Sequence, residues 1–427
     1  MEKNVIKSVI SNNIAEIPKF KVNPRNISFE EAGNYVFVGM RRAGKSYLLY
    51  QRIQELLSRG VKPHEILYVN FEDERLSGMS AGDLNLLLET HIEMYDVKPI
   101  LFLDEIQTIS GWEKFARRLA DTKYRVYVTG SNAKMLSSEI QTTLGGRFIT
   151  IDVYPYNFKE YLNADITDFS ENTLFSTEGR AAVLRKFDDY FKFGGLPETL
   201  MYSTKRDYLN SIYQKIYLGD IAARHSISNL PALRVMFKKL AESVRQPLSY
   251  NRITNIVSSS GAKISVNSII NYIEYAKDAW LITPIQNIAG KIVEKETKPK
   301  YYFTDNGILN LFLLDGTTSL FENLVATNLL RTYGRSDMVF FYNKGIEVDF
   351  YLPETATAIQ ACYSLNSTDG TTEREINALL KLSSLLDCKK LLIITGDTEK
   401  TIEAGEKKIE VIPLWKWLLG HEQLYNM

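Results

Sequence analysis

Cysteine is nearly absent from this chain. Its 427 residues hold two, Cys362 and Cys388. Two thiols build neither a disulfide framework nor, alone, a zinc site, which suits a reducing compartment. Histidine is as scarce: His64, His91, His225 and His421 are too scattered for a histidine-built metal centre. Net charge is missing as well, because 51 basic residues meet 51 acidic ones. Any nucleic-acid surface must therefore be a local patch. No apolar run approaches the roughly 20 residues of a membrane span, and Met1-Glu2-Lys3-Asn4 opens the chain without a signal-peptide core. Fixed-period repeats and low-complexity tracts are lacking too. The expectation is a cytoplasmic protein with no membrane contact and roughly two to four domains. A hydrophobic fraction of 45% is ample for real cores.

What is present begins with Gly39-Met40-Arg41-Arg42-Ala43-Gly44-Lys45-Ser46, which fits G-x-x-x-x-G-K-[ST]. The apolar run Tyr35-Val36-Phe37-Val38 enters it as a buried strand would, and the segment from Tyr47 to Ile53 leaves it with helical periodicity. That strand, loop and helix context gives the motif its meaning. The glycines let backbone N–H groups close round a polyphosphate at a helix N-terminus. Gly39, Met40, Arg41, Arg42, Ala43, Gly44, Lys45, Ser46 and Tyr47 are thus the expected ATP-binding residues. Lys45 should reach the β- and γ-phosphates, and Ser46 should ligate Mg²⁺.

Pro99-Ile100-Leu101-Phe102-Leu103-Asp104-Glu105 reads as an apolar strand running into paired acids. Asp104 would hold the Mg²⁺ shell, and Glu105 would orient and deprotonate the attacking water. The acids Glu72-Asp73-Glu74 follow another strand and either face the phosphates or end that strand in solvent. Arg125 to Asn132 is a fourth strand ending in small polar residues. Ser131 or Asn132 either contacts the γ-phosphate between the two motifs or caps the next helix. Arg147, on the turn Leu144-Gly145-Gly146-Arg147, either touches a γ-phosphate, in its own or a neighbouring subunit, or pairs with a local acid.

These motifs, with Thr129-Gly130-Ser131-Asn132, Phe193-Gly194-Gly195-Leu196-Pro197-Glu198, Asp220 to Arg224 and Ile346-Glu347-Val348-Asp349-Phe350, resemble a group of prokaryotic AAA+-type P-loop ATPases. That group carries a C-terminal domain of unknown function numbered 4143. The resemblance implies an α/β fold with a P-loop NTPase, AAA+-like parallel sheet. It makes Ser131 or Asn132 a sensor and residues 154–204 a helical lid or connector after a core at 1–153. Gly194-Gly195-Leu196-Pro197 reads as a stiff turn.

Residues 205–303 are expected to form a winged helix. Helices are read at 233–244, 250–258 and 266–279, then strands at 280–285 and 301–303 joined through a hairpin tip at 290–300. Asp220 and Arg224 are four apart on one helix and would pair. In a DNA-binding use Asn267, Ser268 and Asn271 would face the groove, and Lys291, Lys295, Lys298 and Lys300 would track phosphates. Glu274, Asp278, Glu294 and Glu296 dilute that charge, and protein contact is the alternative. Residues 304–427 resemble the PD-(D/E)XK nuclease core, with Glu322 and Asp349 in matching places. Gln360 stands where a second strand acid belongs and Cys362 where the lysine belongs, so a degenerate, non-cleaving domain is expected.

The reading is an ATPase that binds and hydrolyses Mg-ATP and couples nucleotide state to its C-terminal domains. DNA is one prospective partner. The alternative is a regulatory switch that turns ATP over slowly while bound to a protein, and an active metal-dependent nuclease is the remaining reading. Oligomerisation would suit an Arg147 acting between subunits.

Overall fold

The computed structural model describes residues 1–130, 142–166, 170–334, 338–365 and 370–420. Two compact units are present: Met1–Tyr154 with Asp278–Trp280, and Pro155–Lys277 with Leu281–Met427. Among the described residues, no helix is long and apolar enough to cross a membrane.

The first unit is built on five parallel strands, β1 (Tyr35–Gly39), β2 (Ile66–Asn70), β3 (Ile100–Asp104), β4 (Val126–Gly130) and β5 (Ile149–Val153). Their order is β2-β3-β4-β1-β5. β1 to β4 are near-continuous apolar runs, as strands covered on both faces must be, and all but the last residue of β2 are buried. Among its described residues are helices α1 (Lys3–Glu16), α2 (Lys45–Ser58), α3 (Leu84–Tyr95) and α4 (Trp112–Asp121). Because β4 lies between β1 and β3, the carboxyl ends of these three strands form one rim. Gly39 is required at the top of β1: a Cβ there would come within 2.1 Å of the Val153 carbonyl oxygen on the paired β5.

The second unit opens with α5 (Phe158–Asp165), α6 (Thr177–Phe193) and α7 (Lys205–Gln214), which runs on as a π-helical stretch, Lys215–Ala223. Asn157 caps α5 by accepting from the Glu160 N–H at 2.7 Å. Gly194 ends α6 at φ +73°, where a Cβ would strike the Asp305 carboxylate. Asp305 in turn accepts the Gly195 N–H at 2.8 Å, so the Gly194-Gly195 turn is clamped by a buried acid 110 residues away. Asp220 is buried and pairs with Arg224 at 3.6 Å.

Then come α8 (Leu230–Glu242), α9 (Tyr250–Ser259), α10 (Val266–Asp278), β6 (Ile282–Asn287), α11 (Ile292–Thr297) and β7 (Lys300–Phe303). The stretch expected as an open hairpin tip is therefore partly helical: the Glu294 side chain accepts the Lys291 N–H at 3.2 Å and starts α11. After α12 (Asn306–Asn310) and α13 (Thr317–Tyr333), the chain lays down β8 (Phe340–Asn343), β9 (Glu347–Leu352), β10 (Thr357–Ala361), α14 (Thr371–Leu385), β11 (Lys390–Thr395), β12 (Lys400–Ala404), β13 (Lys407–Pro413) and α15 (Leu414–Gly420). Eight strands form one sheet, ordered β12-β13-β11-β10-β9-β8-β6-β7. β6 pairs β8 in parallel, so this sheet runs across the boundary expected at residue 303.

Candidate nucleotide site

The loop from Gly39 to Ser46 turns tightly on two residues with positive φ, Arg42 at +64° and Gly44 at +97°. Gly44 supplies a conformation that other residues adopt at a cost, and it places Lys45 and Ser46 in the first turn of α2. Lys45 is buried to 4% exposure, and its ammonium donates to the loop's own Gly39 and Met40 carbonyls at 3.2 and 3.1 Å. The loop thus closes around its own cation. Arg41 reaches Glu72 at 3.9 Å, which brings one of the three undecided acids beside the loop. Asp73 pairs instead with Arg75 at 2.6 Å.

Asp104 ends β3 fully buried. One carboxylate oxygen accepts the Tyr68 hydroxyl at 2.8 Å, and the other accepts the Thr129 hydroxyl. The Ser46 side chain is a third hydrogen-bond partner. Burial pushes the Asp104 carboxyl up, the adjacent Glu105 charge adds to this, and the donated hydrogen bonds oppose both. The Tyr68 hydroxyl is raised well above its ordinary value by burial and then by the Asp104 charge, so it stays a donor. Glu105 sits at φ +51°, and its N–H donates to the Thr129 hydroxyl oxygen at 2.9 Å. Thr129 therefore bridges both acids of the pair. The Gln107 amide donates to the Glu105 carboxylate.

Lys45, Ser46, Asp104 and Glu105 are thus brought together at the rim of β1 and β3. Thr129 and Tyr68 were not expected to take part. Thr129 carried a faint signal, as a hydroxyl at the end of the otherwise apolar Val126-Tyr127-Val128. Tyr68 carried none. Ser131 and Asn132 lie outside the described residues.

Arg147 is not brought to this site within the chain. Its guanidinium pairs with Asp121 at 2.5 Å and with the Gly145 carbonyl at 3.3 Å. Asp121 closes α4 before β4 begins, and Arg147 precedes the first residue of β5. Both occupy the amino-terminal edge of a parallel sheet whose carboxyl edge holds the loop. A five-residue strand spans roughly 16 Å, too far for a direct phosphate contact.

The oxygen donors fit a hard divalent cation: a buried carboxylate and an alcohol are hydrogen-bonded partners on two different elements, the chemistry that Mg²⁺ takes. Ser46 and Asp104 are the residues that would hold it, and Lys45 is the cation placed for the phosphates.

A second group of expected residues also converges. Glu322, Asp349 and Gln360 all line a cavity of about 900 Å³ in the second unit. Gln360 is committed to backbone, accepting the Asp349 N–H at 2.9 Å and donating to the Glu347 carbonyl at 3.1 Å. The Cys362 thiol donates to the Ser364 carbonyl, and burial pushes it up to about 11. Lys300 corrects the reading of a phosphate-tracking wing: it is wholly buried and faces Glu322, Glu347 and Asp349. Lys291 and Lys298 are exposed.

Residues 32–162 match the family model described as the AAA domain. Residues 184–319 match a domain of unknown function, DUF8612, a different label from the 4143 that the resemblance implied. The uncharacterized protein MJ1544 of Methanocaldococcus jannaschii is 34% identical, over 98% of this chain and 96% of its own. An uncharacterized protein of Haemophilus influenzae is 30% identical, over 90% of this chain and 94% of its own. Among solved structures, the Walker-type ATPase PABY2304 of Pyrococcus abyssi is 13% identical, with a TM-score of 0.39 over 73% of this chain and 94% of that one.

Proposed function

This chain belongs to the family of the uncharacterized protein MJ1544, and from that premise we propose that it is an AAA-type ATPase that binds Mg-ATP and hydrolyses it to ADP and phosphate. The observation that carries the proposal is the bridge at Thr129, which ties buried Asp104 to Glu105 at the rim beside Lys45 and Ser46. Lys45 exchanges its two loop carbonyls for phosphate oxygens and neutralises their charge. Mg²⁺ held by Ser46 and Asp104 would supply further neutralisation of phosphate charge. Glu105, oriented by Gln107 and by its own N–H bond to Thr129, accepts a proton from the attacking water. Positioning and charge neutralisation are most of what phosphoryl transfer requires. The sensing role of Ser131 or Asn132 belongs to this proposal, as does an action of Arg147 on a neighbouring subunit.

The second unit is the part that nucleotide state would control. Exposed Asn267 and Asn271 on α10, with Lys291 and Lys298 flanking α11, favour a winged helix that meets DNA; a protein partner is the rival. The domain after residue 303 is read as a degenerate nuclease-like fold, corresponding to the 4143 domain of the resembling group. The test is binding of a fluorescent ATP analogue to wild type and Lys45→Ala, followed by turnover with and without duplex DNA. Wild type should bind and Lys45→Ala should lose at least about tenfold in affinity. Equal affinity would remove the loop from the account. Stimulation by DNA supports the first partner, and stimulation by a protein without response to DNA supports the second.

A further inference from the structure

The cavity in the second unit has a charge arrangement that the nucleotide reading does not use. The Lys300 ammonium, at 0% exposure, lies 3.3 Å from Glu322, 3.2 Å from Glu347 and 3.5 Å from Asp349. These acids come from two elements: Glu322 is on α13, while Glu347 and Asp349 alternate along β9. Two of them have other support. The Tyr302 hydroxyl donates to Glu322 at 2.7 Å and Arg245 reaches it at 3.3 Å, while the Ala361 N–H donates to Asp349 at 3.0 Å.

Glu322 is buried, Asp349 is part-buried and Glu347 is exposed, and it is the buried carboxylate that most needs a compensating cation. Burial alone would discharge Lys300, but Glu322, Asp349 and Glu347 outweigh it and raise the ammonium above its ordinary range. Oxygen ligands from a helix acid and strand acids around one point are also what a hard divalent cation takes, at 2.0 to 2.6 Å rather than ammonium distances. Among the described residues, no group of three or more His, Cys, Asp or Glu side chains is arranged to hold a metal. Cys362 offers no positive charge, so β7 supplies through Lys300 the one that β10 lacks.

We propose that Lys300 is a built-in counter-ion that occupies a latent divalent-cation site formed by Glu322, Glu347 and Asp349, and that its ammonium excludes Mg²⁺ or Mn²⁺ from the cavity. The ammonium satisfies the acids from within the fold, so this unit keeps its structure without metal. Removing the charge unlocks the site.

The test is Mn²⁺ titration of the full-length, nucleotide-free protein, read by calorimetry and by the paramagnetic resonance of free Mn²⁺. Wild type is expected to show no binding that Asp349→Asn abolishes. Lys300→Met is expected to gain one site, roughly 100-fold tighter than any wild-type binding in this unit. That site should vanish in Lys300→Met/Asp349→Asn. The thermal midpoint should rise with Mn²⁺ for Lys300→Met and stay level for the double variant. Folding of Lys300→Met only in the presence of millimolar Mn²⁺ would also support the proposal. Three results would overturn it: wild-type Mn²⁺ binding lost in Asp349→Asn, a folded Lys300→Met that gains no site, or failure of both Lys300→Met and Lys300→Gln to fold with or without metal.

Discussion

Replacing Thr129 with valine keeps the side-chain volume nearly constant and removes one hydroxyl. That hydroxyl donates to buried Asp104 and accepts the Glu105 N–H at 2.9 Å. A hydrogen bond to a charged group contributes about 1.5–3 kcal/mol, and a buried donor left unmade costs about 1–3 kcal/mol. Glu105 is only half-buried, so water can reclaim its N–H and the second figure falls to its lower end. The destabilisation expected for Thr129→Val is then about 2–4 kcal/mol. Part of it falls on the chemistry, because Asp104 loses one of the donors that fix its rotamer and Glu105 loses the anchor that holds its backbone at φ +51°. If about 1.5–3 kcal/mol appears in the transition state, turnover drops roughly 10- to 100-fold. The assay is steady-state phosphate release at saturating Mg-ATP, with urea denaturation of the same samples. Thr129→Ser keeps the hydroxyl and should stay within about threefold of wild type. A folded Thr129→Val that turns over ATP within about twofold of wild type would refute the bridge as part of the site.

Two further outcomes are expected. Arg147→Ala breaks an ion pair that is partly exposed on both sides, so stability should hardly change and turnover of the isolated chain should be unchanged; a large loss that depends on protein concentration would place Arg147 at a subunit interface. Burial raises the Asp305 carboxyl from 3.8 to about 6, against the backbone N–H groups that donate to it. A folded-state value above the unfolded one means that the folded protein binds the proton first, so stability falls as pH rises through 6 and is level above it. Between pH 7.5 and 5 the Asp305 contribution should grow by about 1.4 kcal/mol. The measurement is the difference in denaturation free energy between wild type and Asp305→Asn across that range; parallel profiles would contradict the assignment.

Legibility in the sequence followed the range of the interactions. The phosphate loop is local: its glycine spacing, its entering strand and its leaving helix lie within about twenty residues, and each has its own pattern. Asp104 and Glu105 are adjacent and need only the end of an apolar strand to announce them. Thr129 and Tyr68 reach Asp104 from strands 25 and 36 residues away in sequence, and nothing in either neighbourhood states which strand lies beside which. Arg147 was legible in principle. A residue just before a parallel strand lies at the amino edge, opposite a loop that follows one, and the Gly-rich turn drew attention from that edge rule. Lys300 was misread because Lys300-Tyr301-Tyr302-Phe303 is buried on both faces, so the period-two alternation that separates inside from outside is missing. The long apolar helix around Glu322 gave a mixed case: one acid among apolar neighbours stood out in the sequence, but nothing near it showed that the cation facing it lies on β7.

The account stands or falls most directly on ATP turnover by wild type and Glu105→Gln, measured side by side with analogue binding. Glutamine keeps the size of the side chain and removes its basicity. The expected result is Mg²⁺-dependent phosphate release by wild type, reduced at least about 100-fold in Glu105→Gln, with ATP still bound by both. Turnover that is equal in the two proteins, or absent from wild type under every condition tested, would contradict it.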